Sequence, residues 1–263
     1  CPVGGDLVFD GDGNLYLSTG DDTSPFQSDG YTPIDEREGR NPAFDAQRTA
    51  ANTNDLRGKI LRITPTEGGG YTIPEGNLFE PGTPKTRPEI YSMGWRNPFR
   101  IEIDPDTDDI WVADYSPDAR NANPNRGPAG HGKWAVVDEP SNYGWPMCYK
   151  TDLPMYKWDF NTQTTLGETF DCDSPDHGPT NTSRWNTGTT LPFASTATLG
   201  SGPQIAVRFA TRTRVQDCPS FLEMASHGCT RVFLCESVGE WGVMVEMLPE
   251  ELLNKGTLEA EVV

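Results

Sequence analysis

The chain has 263 residues and a formal net charge of −18, because 39 acidic residues outnumber 21 basic ones. This charge repels phosphate backbones and anionic membrane surfaces, so nucleic acid is not expected as a partner. With 27 Gly and 23 Pro, the composition favours many short strands in one β-rich unit, and no apolar run reaches the roughly 20 residues of a membrane-spanning helix.

The first predicted elements are two strands within residues 7–20, joined by a tight turn at residues 10–14. The turn resembles a calcium-binding EF-hand loop, but that loop requires Gly at its sixth position, where this chain has Leu15. We therefore predict a hairpin. The same order of apolar strand, Asp-rich turn and aromatic-bearing strand returns at residues 101–114. Two such units predict the blades of a β-propeller.

Further strands are predicted between these two units, at residues 59–63 and 88–92. The segment 21–54 is too long for a plain connector, and we expect it to cover one face of the propeller. The blade pattern is lost from about Arg184, and the end of the chain predicts only a short surface helix at residues 249–256.

The six cysteines form no Cys-x-x-Cys pair and the three histidines are scattered, so the sequence gives little support to a zinc site. A disulfide between Cys148 and Cys172 is the better interpretation, since it closes a loop of about two dozen residues in a secreted protein. Because Cys1 leads directly into a strand pattern, we expect a mature or truncated chain that is secreted or periplasmic.

Arg96 and Asn97 lie side by side between Gly94 and Pro98, where the backbone is expected to turn sharply. Their two planar groups suit an anionic ligand rich in carbonyl oxygens. The alternative is structural, with Arg96 paired to an acid and Asn97 capping a turn.

Several motifs, in order along the chain, resemble the soluble glucose/sorbosone dehydrogenases, a family of six-bladed propellers also known as aldose sugar dehydrogenases that use pyrroloquinoline quinone (PQQ). The motifs lie at residues 4–5, 15–21, 57–63, 94–98, 114–118 and 142–146. The resemblance covers roughly residues 1–180. It implies an all-β chain that forms part of a six-bladed propeller in residues 1–184, followed by an irregular, divergent segment in residues 185–263.

The resemblance also implies a set of site residues. Arg96 and Asn97 would contact the quinone oxygens, with Arg96 stabilising the negative charge that develops on reduction, and Tyr115 would join them at the cofactor. The backbone carbonyls of Ser116 and Pro117 would bind a calcium ion.

The chain departs from the family at Pro2, which stands where the family has its catalytic His. Proline accepts no proton, so the general base is unknown and sugar oxidation is expected to be slow. His131, beside Gly130, is the nearby candidate, although a lone His in a loop is more often an exposed side chain.

The predicted function is PQQ-dependent oxidation of aldose hydroxyl groups, with a sugar as substrate and an external electron acceptor. The alternative is a non-catalytic propeller that binds carbohydrate, calcium or protein. Exposed sheet edges in a partial propeller predict self-association. For Trp111 and Trp145, packing in the core is favoured over stacking on sugar.

Overall fold

The computed structural model describes residues 5–105, 107–149, 153–172, 183–189, 221–227, 230–237 and 240–247. These residues form fifteen strands and three short 3-10 turns, and the sheets are antiparallel. The predicted all-β class is confirmed. The chain divides into two compact units: the first comprises Cys1–His131 and Ala135–Gly202, and the second comprises Gly132–Trp134 and Pro203–Val263.

The first sheet follows the chain in the order β1 (Leu7–Phe9), β2 (Leu15–Thr19), β3 (Lys59–Pro65) and β4 (Tyr71–Thr72). A fifth strand, β5 (Ile90–Met93), pairs with β3. The strands predicted at residues 59–63 and 88–92 are therefore present. Both strands lie in this sheet, where the first three residues of β3 and all four residues of β5 are buried.

The turn between β1 and β2 is built on the carboxylate of Asp10. Its Oδ1 accepts hydrogen bonds from the backbone N–H groups of Asp12 at 3.0 Å and Asn14 at 2.8 Å, and its Oδ2 accepts one from Asn14 Nδ2 at 2.8 Å. A carboxylate that binds amides two and four residues ahead stabilises a tight turn. The predicted hairpin is confirmed.

The second sheet has the order β6 (Pro98–Ile103), β7 (Ile110–Ser116) and β8 (His131–Val137). The turn between β6 and β7 is closed by a hydrogen bond of 2.9 Å from Asp104 N to Asp109 O. The two repeat units that the sequence predicted as blades are thus two separate antiparallel sheets.

Two short strand pairs follow: β9 (Cys148–Tyr149) with β10 (Leu153–Pro154), and β11 (Tyr156–Asp159) with β12 (Thr164–Thr169). The predicted disulfide is confirmed, because Cys148 Sγ is bonded to Cys172 Sγ.

The largest apolar core lies between the first two sheets. Inward-facing side chains of β2, β3, β5, β6 and β7 meet there and exclude water, which supplies most of the stabilisation of such a pair of sheets. Trp95 stacks on Tyr143 with ring centroids 4.3 Å apart. The buried members are Tyr16, Ile60, Tyr91, Trp95, Ile101, Ile103, Ile110, Val112, Val137 and Tyr143.

The long segment 21–54 is packed into the unit and contains the three 3-10 turns, Phe26–Ser28, Pro42–Phe44 and Ala46–Arg48. Its Ala46 and Ala50 join a second apolar cluster with Trp145. Trp145 is fully buried, as predicted for a core residue, whereas Trp111 is half-buried. Many polar side chains of the segment are buried as well: Asp21, Thr23, Ser28, Thr32, Asp35, Asp45, Gln47, Thr49, Asn52 and Thr53.

In the second unit, the described residues form a three-stranded antiparallel sheet of β13 (Phe221–His227), β14 (Thr230–Ser237) and β15 (Glu240–Met247). The sequence patterns did not predict these strands. The helix predicted at residues 249–256 lies outside the described residues. In the described part of the chain, no helix has the length and apolar character needed to cross a membrane.

Candidate functional site

The two Trp-containing motifs, residues 94–98 and 142–146, are joined directly by backbone hydrogen bonds. Tyr143 N donates to Met93 O at 2.8 Å, and Trp145 N donates to Gly94 O at 3.1 Å. The Gly94 N–H in turn donates to Ala50 O at 3.2 Å. The loop that carries Arg96 and Asn97 is therefore held on two sides by distant segments of the chain.

Glycine is required at two positions of this junction. Gly94 has φ +77°, and a Cβ there would lie 2.4 Å from Asn142 Oδ1 and 2.5 Å from Gly144 N. Gly58 has φ +67°, and a Cβ there would lie 2.7 Å from Ala50 Cα. Both backbones approach their neighbours more closely than any side chain allows, which explains these glycines physically.

Arg96 is buried and its guanidinium Nη2 donates to Asp118 Oδ2. The backbone carbonyl of Arg96 accepts a hydrogen bond of 2.7 Å from Asp21 N. The structure thus brings the predicted cofactor-binding loop to the segment predicted to bind calcium. It also shows the pairing of Arg96 with an acid that the structural alternative had anticipated.

Asn97 is fixed through its backbone, whose N–H donates to Asp114 Oδ1 at 2.7 Å and whose carbonyl accepts from Tyr115 N at 3.2 Å. The side-chain oxygen Oδ1 is buried and has no hydrogen-bond partner among the described residues. A buried amide oxygen without a partner is costly in a folded protein unless a ligand satisfies it. Tyr115 follows in the same arrangement, with 39% of its surface exposed.

Asp21 is a buried titratable group that the sequence analysis placed in a motif without giving it a role. Its Oδ2 accepts from Trp145 Nε1 at 2.8 Å and its Oδ1 accepts from Thr23 N at 3.0 Å. Complete burial raises the pKa of Asp21 to about 6, although the charge of Arg96 opposes this shift. The burial and the hydrogen bonds of Asp21 become apparent only in the folded structure, because an Asp after a strand is ordinarily interpreted as a turn residue.

Lys59 is a second buried charge beside the same loop. Its Nζ donates to three backbone carbonyls, those of Thr49 at 2.7 Å, Arg57 at 2.8 Å and Ala50 at 3.1 Å. Burial lowers the pKa of Lys59 to about 7, and the carboxylate of Asp55 works against that change. From the sequence patterns, Lys59 was predicted only as a residue of a strand.

The segment predicted to bind calcium is hydrogen-bonded to the long segment 21–54, since Asp118 N donates to Gly30 O at 2.9 Å. The carbonyl oxygen of Pro117 contacts Gly130, where a Cβ would lie only 1.8 Å away. Ser116 is the last residue of β7. Among the described residues, no group of three or more His, Cys, Asp or Glu side chains is arranged to hold a metal ion, so a cation here would depend on carbonyl oxygens.

The structure places at this site neither Pro2, which stands at the position of the family's catalytic His, nor the side chain of His131, the candidate replacement. Pro2 lies outside the described residues. His131 is the first residue of β8, and its side chain is likewise outside what is described.

Known proteins of one family are similar in sequence to this chain. A family model described as "Glucose / Sorbosone dehydrogenase" matches residues 2–166, more than half of the chain. The aldose sugar dehydrogenase YliI of Escherichia coli (strain K12) is 29% identical over 146 residues, which cover 55% of this chain and 29% of that protein. The HIPL2 protein of Arabidopsis thaliana is 29% identical over 155 residues, which cover 54% of this chain and 18% of that protein.

Among solved structures, the soluble aldose sugar dehydrogenase of Escherichia coli in its apo form is similar, with 28% sequence identity and a TM-score of 0.33. That match covers 55% of this chain and 31% of the other chain. This chain therefore spans less than a third of the length of each of these three relatives.

Proposed function

Because the chain belongs to the glucose/sorbosone dehydrogenase family, we propose that its first unit binds PQQ at Arg96 and Asn97 and serves in the oxidation of sugar hydroxyl groups. The observation that carries this proposal is the buried Asn97 Oδ1 without a partner among the described residues, next to a buried guanidinium. The Arg96 guanidinium and the Asn97 Nδ2 are donors that suit the carbonyl and carboxylate oxygens of a quinone acid, and the unpartnered Asn97 Oδ1 is an acceptor that suits an N–H group of the ligand or a bound cation.

The residues of this loop have distinct tasks in the proposed site. Arg96 orients the ligand and favours negative charge on its oxygens, because a guanidinium fixed before the reaction needs no reorganisation. Asn97 supplies a side-chain amide whose Oδ1 has no partner among the described residues. Tyr115 is proposed to line the same ligand site. When bound, the quinone supplies the two-electron acceptor.

Two acids set the charge around Arg96. Asp118 pairs with the guanidinium, and burial raises the pKa of its carboxyl group. Asp21 has both carboxylate oxygens engaged by Trp145 and Thr23, so it holds the Arg96 loop in place and does not reach towards a substrate.

The calcium ion and the proton acceptor complete the proposal. The carbonyl oxygens of Ser116 and Pro117 are proposed as calcium ligands, since oxygen donors suit this hard cation. With Pro2 at the position of the family's catalytic His, and His131 as the candidate replacement, we expect sugar oxidation to be about 10² to 10⁴ times slower than with a positioned base. Binding of the quinone does not depend on that base.

We further propose a secreted or periplasmic location with an external electron acceptor. The Cys148–Cys172 disulfide supports this location, since such bonds persist in oxidising compartments.

The proposal is tested by titrating the protein with PQQ in the presence of calcium while following quinone absorbance and melting temperature. A saturable rise in melting temperature is expected, because ligand binding to the native state stabilises it. The rise should be lost in Arg96→Ala and kept in Arg120→Ala, which changes an exposed arginine. No shift with the unmodified protein would refute quinone binding.

The second candidate function is a non-catalytic binding module, and Pro2 is the observation that favours it. Quinone binding without sugar-dependent reduction of a dye would support this function, and measurable dye reduction with aldoses would exclude it.

Self-association is proposed for the edge of the first sheet. The edge strand β1 exposes 62% of Leu7 and 55% of Phe9. An apolar edge strand is a surface to which a second copy pairs readily. Light scattering that detects only monomer at high concentration would contradict this proposal.

A further inference from the structure

Lys59 is a fully buried lysine whose ammonium group has no part in the proposed ligand contacts. An ammonium has three donors, and here all three are used by the carbonyls of Thr49, Ala50 and Arg57. Within the described part of the chain, no carboxylate forms an ion pair with it. The groups in direct contact with the charge are therefore peptide dipoles, while the carboxylates of Asp55 and Asp21 act at longer range, an arrangement whose desolvation cost a buried apolar side chain would avoid.

The three acceptors belong to two different segments. Thr49 and Ala50 follow the 3-10 turn Ala46–Arg48, where carbonyls lack partners at the end of the turn. Arg57 lies two residues before Lys59, the first residue of β3. Lys59 thus fixes the end of the long segment against the start of a core strand. The close contact of Gly58 with Ala50 leaves little room for a different distance between these two segments.

The same two segments hold the entrance of the Arg96 loop. The carbonyl of Ala50 accepts from Gly94 N at 3.2 Å, and the carbonyl of Gly58 accepts from Trp95 N at 3.2 Å. The Ala50 oxygen is therefore shared between Lys59 Nζ and Gly94 N. The two amides that enter the loop are bound by acceptors whose separation Lys59 sets.

We propose that Lys59 is a positioning residue that fixes the Gly94–Asn97 backbone, and through it the direction of the Arg96 and Asn97 side chains. It acts through Ala50 and the strand start at Arg57–Gly58, without touching the ligand. The effect of Lys59 on the loop backbone follows from the hydrogen bonds of Lys59, Ala50 and Gly58. Its effect on ligand affinity rests on the proposed function.

The first test is hydrogen exchange of the ligand-free protein, comparing Lys59→Met with the unmodified chain. Met keeps the length and apolar stem of the side chain and removes the donors. We expect the amides of Gly94 and Trp95 to exchange at least about tenfold faster, while the amides of β6 and β7 keep their protection. Lys59→Arg, which restores charged donors, should regain part of the lost protection. Lys157→Met, at an exposed lysine, is the matched control.

Two results would overturn the proposal: unchanged exchange at Gly94 and Trp95 in Lys59→Met, or an equal increase throughout β6 and β7. If Lys59→Met does not fold, Lys59→Gln is measured with the same two criteria, since its amide keeps part of the donor set.

The second test is the PQQ titration of the same variants. We expect at least a tenfold weaker apparent affinity for Lys59→Met and an unchanged affinity for Lys157→Met. If the unmodified protein binds no PQQ, the proposed function fails, whereas the exchange experiment still decides the role of Lys59. Loosened Gly94 and Trp95 amides with unchanged PQQ affinity would overturn the link to the ligand.

Discussion

The indole Nε1 of Trp145 donates a hydrogen bond of 2.8 Å to Oδ2 of Asp21, which lies 124 positions earlier in the chain. Asp21 N also donates to Arg96 O, so this single carboxylate-bearing residue connects three motifs that are far apart in sequence. The bond satisfies a buried carboxylate without neutralising it, and the consequence is a dependence of stability on pH.

The first prediction concerns the pH dependence of Asp21. Its pKa is about 6 in the folded state, against an ordinary value of 3.8 for an aspartate. Well below pH 3.8 both states hold the proton; as pH rises from 3.8 to about 6 the unfolded chain ionises first, and the folded state loses stability relative to it until its own carboxyl group has ionised. Asp21→Asn carries no charge, so we expect it to be more stable than the unmodified chain by about 3 kcal/mol at pH 7.5 and equally stable at about pH 3.

Urea unfolding of both proteins at the two pH values measures this difference. Asp12→Asn, at an exposed turn residue, is the control and should show no such dependence. A difference in free energy of unfolding that is the same at both pH values would contradict the assignment.

The second prediction compares two glycines with similar backbones. Gly94 and Gly82 have φ of +77° and +88°, but a Cβ at Gly82 meets no atom within 4 Å. Gly82→Ala should cost about 1 kcal/mol because of the left-handed backbone alone. Gly94→Ala adds a clash with Asn142 and Gly144, and we expect it to cost at least about 2 kcal/mol more.

Chemical denaturation of the two variants provides the comparison, and quinone titration reports on the loop. Equal costs would mean that the Gly94 loop can move away from residues 142–144 without loss.

The third prediction concerns the charge opposite Arg96. Asp118→Asn keeps a hydrogen-bond acceptor at the same place but removes its negative charge, which leaves Asp21 as the remaining acid near the buried guanidinium. An anionic quinone should then bind about tenfold more tightly, equivalent to about 1.4 kcal/mol. Titration of Asp118→Asn alongside Asp12→Asn measures the effect, and weaker binding in Asp118→Asn would show that Asp118 supports the ligand.

The fourth prediction concerns the disulfide between Cys148 and Cys172, which are 24 positions apart. Replacing both by Ser removes a constraint on the unfolded chain and should lower the free energy of unfolding by about 3 kcal/mol. Urea unfolding with and without a reductant measures it. The double variant should be insensitive to the reductant, and a stability equal to that of the oxidised protein would contradict the prediction.

The sequence predicted what local patterns determine. The hairpin at Asp10 was predictable because turn chemistry is local, and the Cys148–Cys172 bond was predicted because the two cysteines flank a loop of about two dozen residues. The Arg96–Asn97 pair stood out because Gly and Pro mark a rigid turn.

The remaining features depend on contacts between distant segments. The burial of Asp21 and the carbonyl set around Lys59 require segments 20–21, 49–58 and 94–97 to meet, and no periodicity encodes that meeting. The long segment 21–54 illustrates the difference: its composition predicted a covering loop, whereas many of its polar side chains are buried and hydrogen-bonded, Asp35 within the segment to Arg37 and Asp21 outside it to Trp145.

The hydrogen bonds from Tyr143 and Trp145 to the Arg96 loop also bear on how the protein is made. A chain that is still emerging from the ribosome contains both β-sheet hairpins of the first sheet and the Arg96 loop before residues 141–145 exist. Until then Met93 and Gly94 have no backbone partners on that side. We expect the Arg96 loop to be completed only after residues 141–145 have emerged, because its closing contacts have a large separation in sequence.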